Sequence, residues 1–243
     1  MKQIFARIFA TWAIIIFIIT LIPVSILMWS IGVIDEPKRT RIFRIISKVW
    51  MTIFFFLTGC RLKTVGLENF KKGENYIVTC NHNSLMDVPL STPFIPGPNK
   101  TIAKAEMAKT PLFGLAYKRG SILVDRNDKN SRQNSFKKMK DVLNMGMHMC
   151  IYPEGTRNKT NLPLKEFYDG AFKLAVDTGI SILPALIFNT KKVLPSDKIF
   201  FFWPSKMELH FLPPIPVTHS DSFEIIKEKV FKLMTEYYMM HTK

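Results

Sequence analysis

Between Ile8 and Ile34 the chain runs 27 residues without a charge. As a helix, that run is roughly 40 Å long, more than the hydrocarbon thickness of a bilayer. It is too long for the core of a signal peptide, and no small-residue cleavage site accompanies it. A membrane-inserted helix is therefore expected in place of a buried core helix, with a kink at Pro23. Asp35-Glu36-Pro37 follows, then a basic cluster of Lys38, Arg39, Arg41, Arg44 and Lys48. A second apolar stretch, Val49–Cys60, has only 12 residues and is too short to span alone. Two arrangements fit. The first helix can span, with the cluster on the cytoplasmic side. Or the pair can form a hairpin in one leaflet, with the cations on headgroups. Length alone favours the span.

Composition changes near Gly59–Arg61, which divides the chain into membrane-inserted helices over 1–59 and a globular domain over 60–243. Residues 61–243 carry 27 basic and 17 acidic residues, so this part is basic in its own right. The whole chain, at +15, calls for an anionic partner. With 20 Phe and 13 Met, lipid fits better than nucleic acid, and no nucleic-acid partner is expected. Cys60, Cys80 and Cys150 form no C-x-x-C pair and read as small core residues of a protein in a reducing compartment.

Strands are expected at Tyr76–Cys80, Thr101–Ala105, Ser121–Asp125, His148–Tyr152, Ile180–Phe188 and Lys206–Leu212. Helices are expected at Asn130–Met145, Lys165–Thr178 and Ser222–Met240. The alternation predicts an α/β fold, a layered sheet-and-helix domain.

Two polar islands follow apolar strands: Asn81-His82-Asn83-Ser84-Leu85-Met86-Asp87 and Tyr152-Pro153-Glu154-Gly155-Thr156-Arg157. His82 and Asp87 can meet if His82 lies in the turn and Asp87 on the first turn of a following helix. Asp87 would then fix the imidazole tautomer, and His82 could take a proton from a hydroxyl. Ser84-x-x-Asp87 is equally a capping box, which requires no chemistry. In the second island Gly155 allows a tight turn, and Arg157 offers a planar fork for phosphate. A surface turn with a salt bridge is the plainer alternative. Lys104, Arg126 and Arg157 stand at successive strand ends, consistent with one anionic pocket.

Together these blocks resemble the 1-acyl-sn-glycerol-3-phosphate acyltransferase family of glycerolipid acyltransferases. The resemblance covers roughly residues 60–217, with the blocks in the family's order. Asn81-His82…Asp87 resembles the first block. Lys104–Gly120 with Ile122-Leu-Val-Asp125-Arg126 resembles the second. Tyr152-Pro153-Glu154-Gly155-Thr156-Arg157 resembles the third, with Tyr152 where Phe is common. Ile182-Leu183-Pro184-Ala185 resembles the fourth, with Ala185 in place of the usual Val.

The resemblance implies transfer of an acyl group from a thioester, on coenzyme A or acyl carrier protein, to the hydroxyl of lysophosphatidic acid. It implies a direct mechanism with His82 as base and Asp87 orienting it. Arg157 and Lys104, with Arg126, would hold the phosphate. Glu154, Gly155 and Thr156 would position substrate, and backbone amides near the islands would face the oxyanion. It implies no metal and no cofactor. It favours the two-helix motif in one leaflet of a phospholipid membrane, with the catalytic domain on the cytoplasmic face. Other lysolipid acceptors, in phospholipid remodelling or ornithine-lipid synthesis, would use the same islands. A non-catalytic, membrane-tethered basic binding protein is the alternative outside enzymes.

Overall fold

The computed structural model describes residues 1–125 and 127–242. Two helices open the chain: α1 (Lys2–Ser30) and α2 (Lys38–Leu57). Then follow β1 (Arg61–Val65), β2 (Ile77–Cys80), α3 (Asp87–Ser91), β3 (Asn99–Lys104), α4 (Phe113–Gly120) and β4 (Ser121–Val124). The rest is α5 (Lys129–Asn144), β5 (His148–Ile151), α6 (Gly170–Thr178), β6 (Ile182–Phe188), α7 (Thr190–Val193), β7 (Lys206–Phe211) and α8 (Phe223–His241).

The seven strands form one sheet in the order β1-β7-β6-β2-β5-β3-β4. The run β6-β2-β5-β3-β4 is parallel, and β7 turns antiparallel on β6. Every residue of β2, β5 and β6 is buried, as continuous apolar strands covered on both faces must be. Because β2, β5, β3 and β4 are parallel neighbours, both islands and Lys104 leave the same edge of the sheet.

Alternate residues of each central strand feed two separate cores. Ile77, Met149, Ile151, Ile182 and Leu186 pack with α5, α6 and α8 through Val142, Phe172 and Val230. Val78, Cys80, Cys150, Leu183, Ala185 and Ile187 share the other core with Met28, Trp50, Met51, Phe54 and Phe55 of the first two helices. The amino-terminal pair is therefore the third layer of the fold.

That pair is an antiparallel hairpin. Trp50 Nε1 donates to Thr20 Oγ1 at 2.9 Å, and Trp12 Nε1 to the Leu57 carbonyl at 2.8 Å. Ala6, Ala10 and Ala13 are buried, while Ile4, Ile8, Ile15, Ile18, Ile22 and Ile26 remain exposed. Lys2–Val33 is long and apolar enough to cross a membrane. The helix runs without interruption through Pro23. Glu36 closes the hairpin: its carboxylate accepts from Arg39, from Thr40 and, at 2.7 Å, from Lys100 Nζ on β3. Arg39 and Arg44 of the cluster are hydrogen-bonded to protein, Arg39 to Glu36 and Arg44 Nε to the Ile95 carbonyl. Lys38, Arg41 and Lys48 stay exposed.

The six expected strands are present. β1 was not expected; its alternating Arg61-Leu62-Lys63-Thr64-Val65 is the charged edge of the sheet. The helix expected from Lys165 begins only at Gly170. Residues 165–169 are drawn out instead, with Lys165 N–H donating to Glu154 and Tyr168 N–H to the Pro153 carbonyl.

Candidate active site

The site starts where β2 ends. Asn81 is wholly buried, and its side-chain amide makes two bonds to the main chain of Ile187 on β6, at 2.6 and 3.0 Å. This fixes the turn that carries His82. The second island then laces onto the first. Glu154 Oε1 accepts the His82 N–H at 2.7 Å, and the His82 carbonyl accepts the Asn158 N–H at 2.6 Å.

His82 Nδ1 lies 2.8 Å from Asp87 Oδ2. Asp87 is wholly buried at the first residue of α3. The same Oδ2 accepts the Asn83 and Ser84 N–H groups at 2.5 and 2.7 Å, and Oδ1 accepts from Thr190 Oγ1 at 2.6 Å. Three donors besides the imidazole meet this carboxylate; with Nδ1 donating to it as well, Nε2 is the imidazole nitrogen left to accept a proton. The His82 side chain is 18% exposed, enough for access.

The capping-box alternative is half realised. Ser84 N–H reaches Asp87, but Ser84 Oγ donates to the Leu194 carbonyl at 2.6 Å and does not cap α3. The carboxylate serves the turn and the imidazole together.

Tyr152 packs its ring 4.6 Å from that of His82, and its hydroxyl bonds Ser91 Oγ at 2.6 Å. Cys80 and Cys150 are buried free thiols, 3.8 Å apart. The Cys80 thiol is pushed well up, first by its bond to Cys150 and then by burial. Such a group is inert as a nucleophile.

Glu154 is fully buried, and burial raises its carboxyl to about 6. Its oxygens are committed to the His82 and Lys165 main chain. Gly155 has φ +67°, and a Cβ there would lie 2.7 Å from the Tyr168 ring. Thr156 is exposed, and its Oγ1 accepts from Lys165 Nζ at 2.8 Å. Main-chain amides of Asn83, Ser84, Gly155, Thr156 and Asn158 all donate to protein acceptors.

Arg157 is half-buried and lines an apolar cavity of about 620 Å³. The cavity passes Leu85 and Met86 of the first island and Pro89 of α3, and continues between α1 and α2, past Ala13, Phe17, Trp50 and Phe54. Lys104 ends β3 and is exposed, outside the lining of this cavity. Arg126 lies outside the described residues. The structure thus joins His82, Asp87 and Glu154 directly, and Arg157 to the cavity beside them. Asn81 and Asn158 stood in or beside the islands without a role of their own, and Ser91 and Thr190 were missed. Thr190 meets Asp87 across 103 residues, and no local pattern marks it.

Comparison with known proteins decides the family. The acyltransferase family model matches residues 61–188, more than half of the chain.

The chain belongs to the acyltransferase family.

Among curated acyltransferases, the 1-acyl-sn-glycerol-3-phosphate acyltransferase of Helicobacter pylori (strain J99) is 35% identical over 144 residues, 59% of this chain and 60% of that one. The chain thus spans about three fifths of that relative's length. The 1-acyl-sn-glycerol-3-phosphate acyltransferase of Borreliella burgdorferi is 29% identical over 199 residues, 79% of each chain. The crystal structure of the 1-acyl-sn-glycerophosphate acyltransferase PlsC from Thermotoga maritima superposes with a TM-score of 0.83. It covers 99% of this chain and 97% of that one, at 23% identity. The acyltransferase fold of this chain, a mixed α/β layered sheet, is therefore the fold of that structure.

Proposed function

We propose that this acyltransferase moves a fatty acyl group from a thioester to the free hydroxyl of 1-acyl-glycerol-3-phosphate, forming phosphatidic acid. The observation that carries the reading is the His82–Asp87 pair at 2.8 Å, with its carboxylate saturated by buried donors, beside an apolar cavity that Arg157 lines. The names of the matched relatives point to the same reaction.

In this reading Nε2 of His82 takes the proton of the acceptor hydroxyl as its oxygen attacks the thioester carbonyl. The carbon–sulfur bond of the tetrahedral intermediate then breaks. The thiolate leaves with the proton from the imidazolium, and the imidazole is restored. Asp87 stabilises that imidazolium. Glu154 acts through His82, holding its main chain. Arg157 meets the glycerol phosphate, with Lys104 approaching from the same sheet edge and Arg126 assigned to it by the resemblance of its block alone. The apolar cavity holds an acyl chain.

The hairpin lies in one leaflet on the cytoplasmic face. The support is that α1 is held to the catalytic domain at both ends. The Ala6 carbonyl accepts the Phe202 N–H, Lys2 Nζ sits 5.4 Å from the Trp203 ring, and the Met28 carbonyl accepts from Arg119. A helix crossing the bilayer would carry one end away from the domain.

The test is turnover by membranes bearing the full chain. Lysophosphatidic acid is offered against lysophosphatidylcholine, lysophosphatidylethanolamine and lyso-ornithine lipid, with acyl-coenzyme A and acyl carrier protein as donors. Strong preference for lysophosphatidic acid is expected; equal use of a phosphate-free acceptor would overturn the acceptor assignment.

A further inference from the structure

The segment between α7 and β7 has no part in the chemistry above, yet it presents an unusual surface. Ile199 is 97% exposed and Phe200 48% exposed, side by side. Phe200 is held at φ +53°, a conformation that a bulky residue adopts only when its surroundings impose it. They do: Phe202 N–H is bonded to the Ala6 carbonyl of α1, and Trp203 N–H to the Val193 carbonyl. The segment is tied to the catalytic loop as well, through Ser84 Oγ on the Leu194 carbonyl and a β-bridge between Ser84 and Pro195.

Lysines flank the tip. Lys2, Lys191, Lys192 and Lys198 line one surface pocket with Asp197 as its acidic member. An exposed apolar tip beside a cluster of cations has the chemistry of a surface that meets anionic phospholipid. It is also continuous with the exposed isoleucines of α1, since the Ala6–Phe202 bond sets the two side by side. Among the described residues that line the apolar cavity, the most open to solvent are Ile14 of α1, Leu85 of the His82 loop, and Lys198 and Phe200 of this segment.

We propose that residues 196–201 form a membrane-dipping finger of the catalytic domain. Ile199 and Phe200 enter the acyl region of an anionic phospholipid bilayer, the lysines hold headgroups, and the opening between Phe200, Ile14 and Leu85 admits the acceptor's chain from the leaflet. The membrane contact therefore extends beyond the amino-terminal hairpin. The entry route rests on the lysolipid reading above; the insertion does not.

Two measurements separate these. The native cysteines are all buried, so an Ile199→Cys variant of the full chain takes an environment-sensitive fluorophore selectively. In phosphatidylcholine–phosphatidylglycerol vesicles the probe should shift to the blue, lose its quenching by aqueous iodide and gain quenching by a chain-located spin label. The same label on Lys129→Cys should stay iodide-accessible. An iodide-accessible probe at 199 in those vesicles would overturn the finger whatever the enzyme's substrate. Second, Ile199→Asp should lower the ratio of turnover on bilayer-embedded to short-chain soluble acceptor by about ten-fold, because an apolar anchor is lost and a charge repels the surface. An unchanged ratio would overturn the entry route. A wild-type protein that acylates neither acceptor, but whose probe is buried, would overturn the lysolipid reading and leave the finger standing.

Discussion

Asp87 accepts four hydrogen bonds from residues on two segments, the 82–84 turn and Thr190, so its substitution separates folding from chemistry. In Asp87→Asn the side-chain carbonyl can replace Oδ2, and the NH₂ group can face Thr190 Oγ1. The turn should persist, but no negative charge meets the imidazolium. Steady-state kinetics should show kcat down by roughly 10²–10⁴-fold with little change in acceptor KM; a loss confined to KM would contradict the orienting role. Glu154 makes a prediction about pH. Burial raises its carboxyl to about 6, so the folded chain holds this proton more tightly than the unfolded chain does. Its contribution to stability is greatest below the usual carboxylate value and falls as pH rises through about 6, by roughly 2 kcal/mol. Glu154→Gln should abolish that slope. It should also cost roughly 1–3 kcal/mol at pH 4.5, because its NH₂ must face one backbone N–H. Denaturant unfolding across pH 4.5–7 checks both; a variant that keeps the wild-type slope contradicts the assignment. At this scale the sequence showed His82 and Asp87 as a spacing compatible with two meanings. Only the fold reveals that one carboxylate serves both the turn and the ring. Glu154 was expected to position substrate on the resemblance alone; its bonds to the His82 and Lys165 N–H groups are ones that no side-chain pattern encodes.

Among the elements, the α1–α2 hairpin has a chemical clasp in Glu36. Burial alone would raise this carboxyl, but bonds from Lys100, Thr40 and Arg39 outweigh it and hold the group at about 2. The stability it confers is fully present above the usual carboxylate value and is lost as pH falls towards 2, to an extent of roughly 3 kcal/mol. Lys100→Met should therefore lower thermal stability at pH 7, and the gap to wild type should close as the pH approaches 2. A gap constant from pH 7 to pH 2 would show that Lys100 acts through packing. Elements with strong periodicity were readable: α5 and α8 lie within a residue of expectation, each capped by a side chain just before it, Asp128 and Ser222. The short helices α3, α4 and α7 carry too few turns for a period to show. β1 was hidden because an exposed edge strand lacks the apolar run by which β2, β5 and β6 announce themselves.

For the molecule as a whole, the hairpin is a wall of the protein. Composition placed a boundary near residue 59, and composition cannot show that Trp50, Met51, Phe54 and Phe55 share a core with Val78, Leu183 and Ile187. A chain starting at residue 60 would expose one whole face of the sheet. It should be insoluble or lack cooperative thermal unfolding in detergent; a soluble truncated domain with a sharp transition would show that the wall is dispensable. Legible from the start were the layered α/β class and the emergence of both islands from strand ends, since both follow from strand–helix alternation and from polar turns after apolar strands. The most direct measurement is acyl transfer to lysophosphatidic acid by the full chain in vesicles, wild type against His82→Ala, with circular dichroism showing equal folding. The expected result is conversion to phosphatidic acid by the wild type and a loss of at least about 10²-fold in the variant. A variant that retains more than about a tenth of the wild-type rate would contradict general-base catalysis by His82.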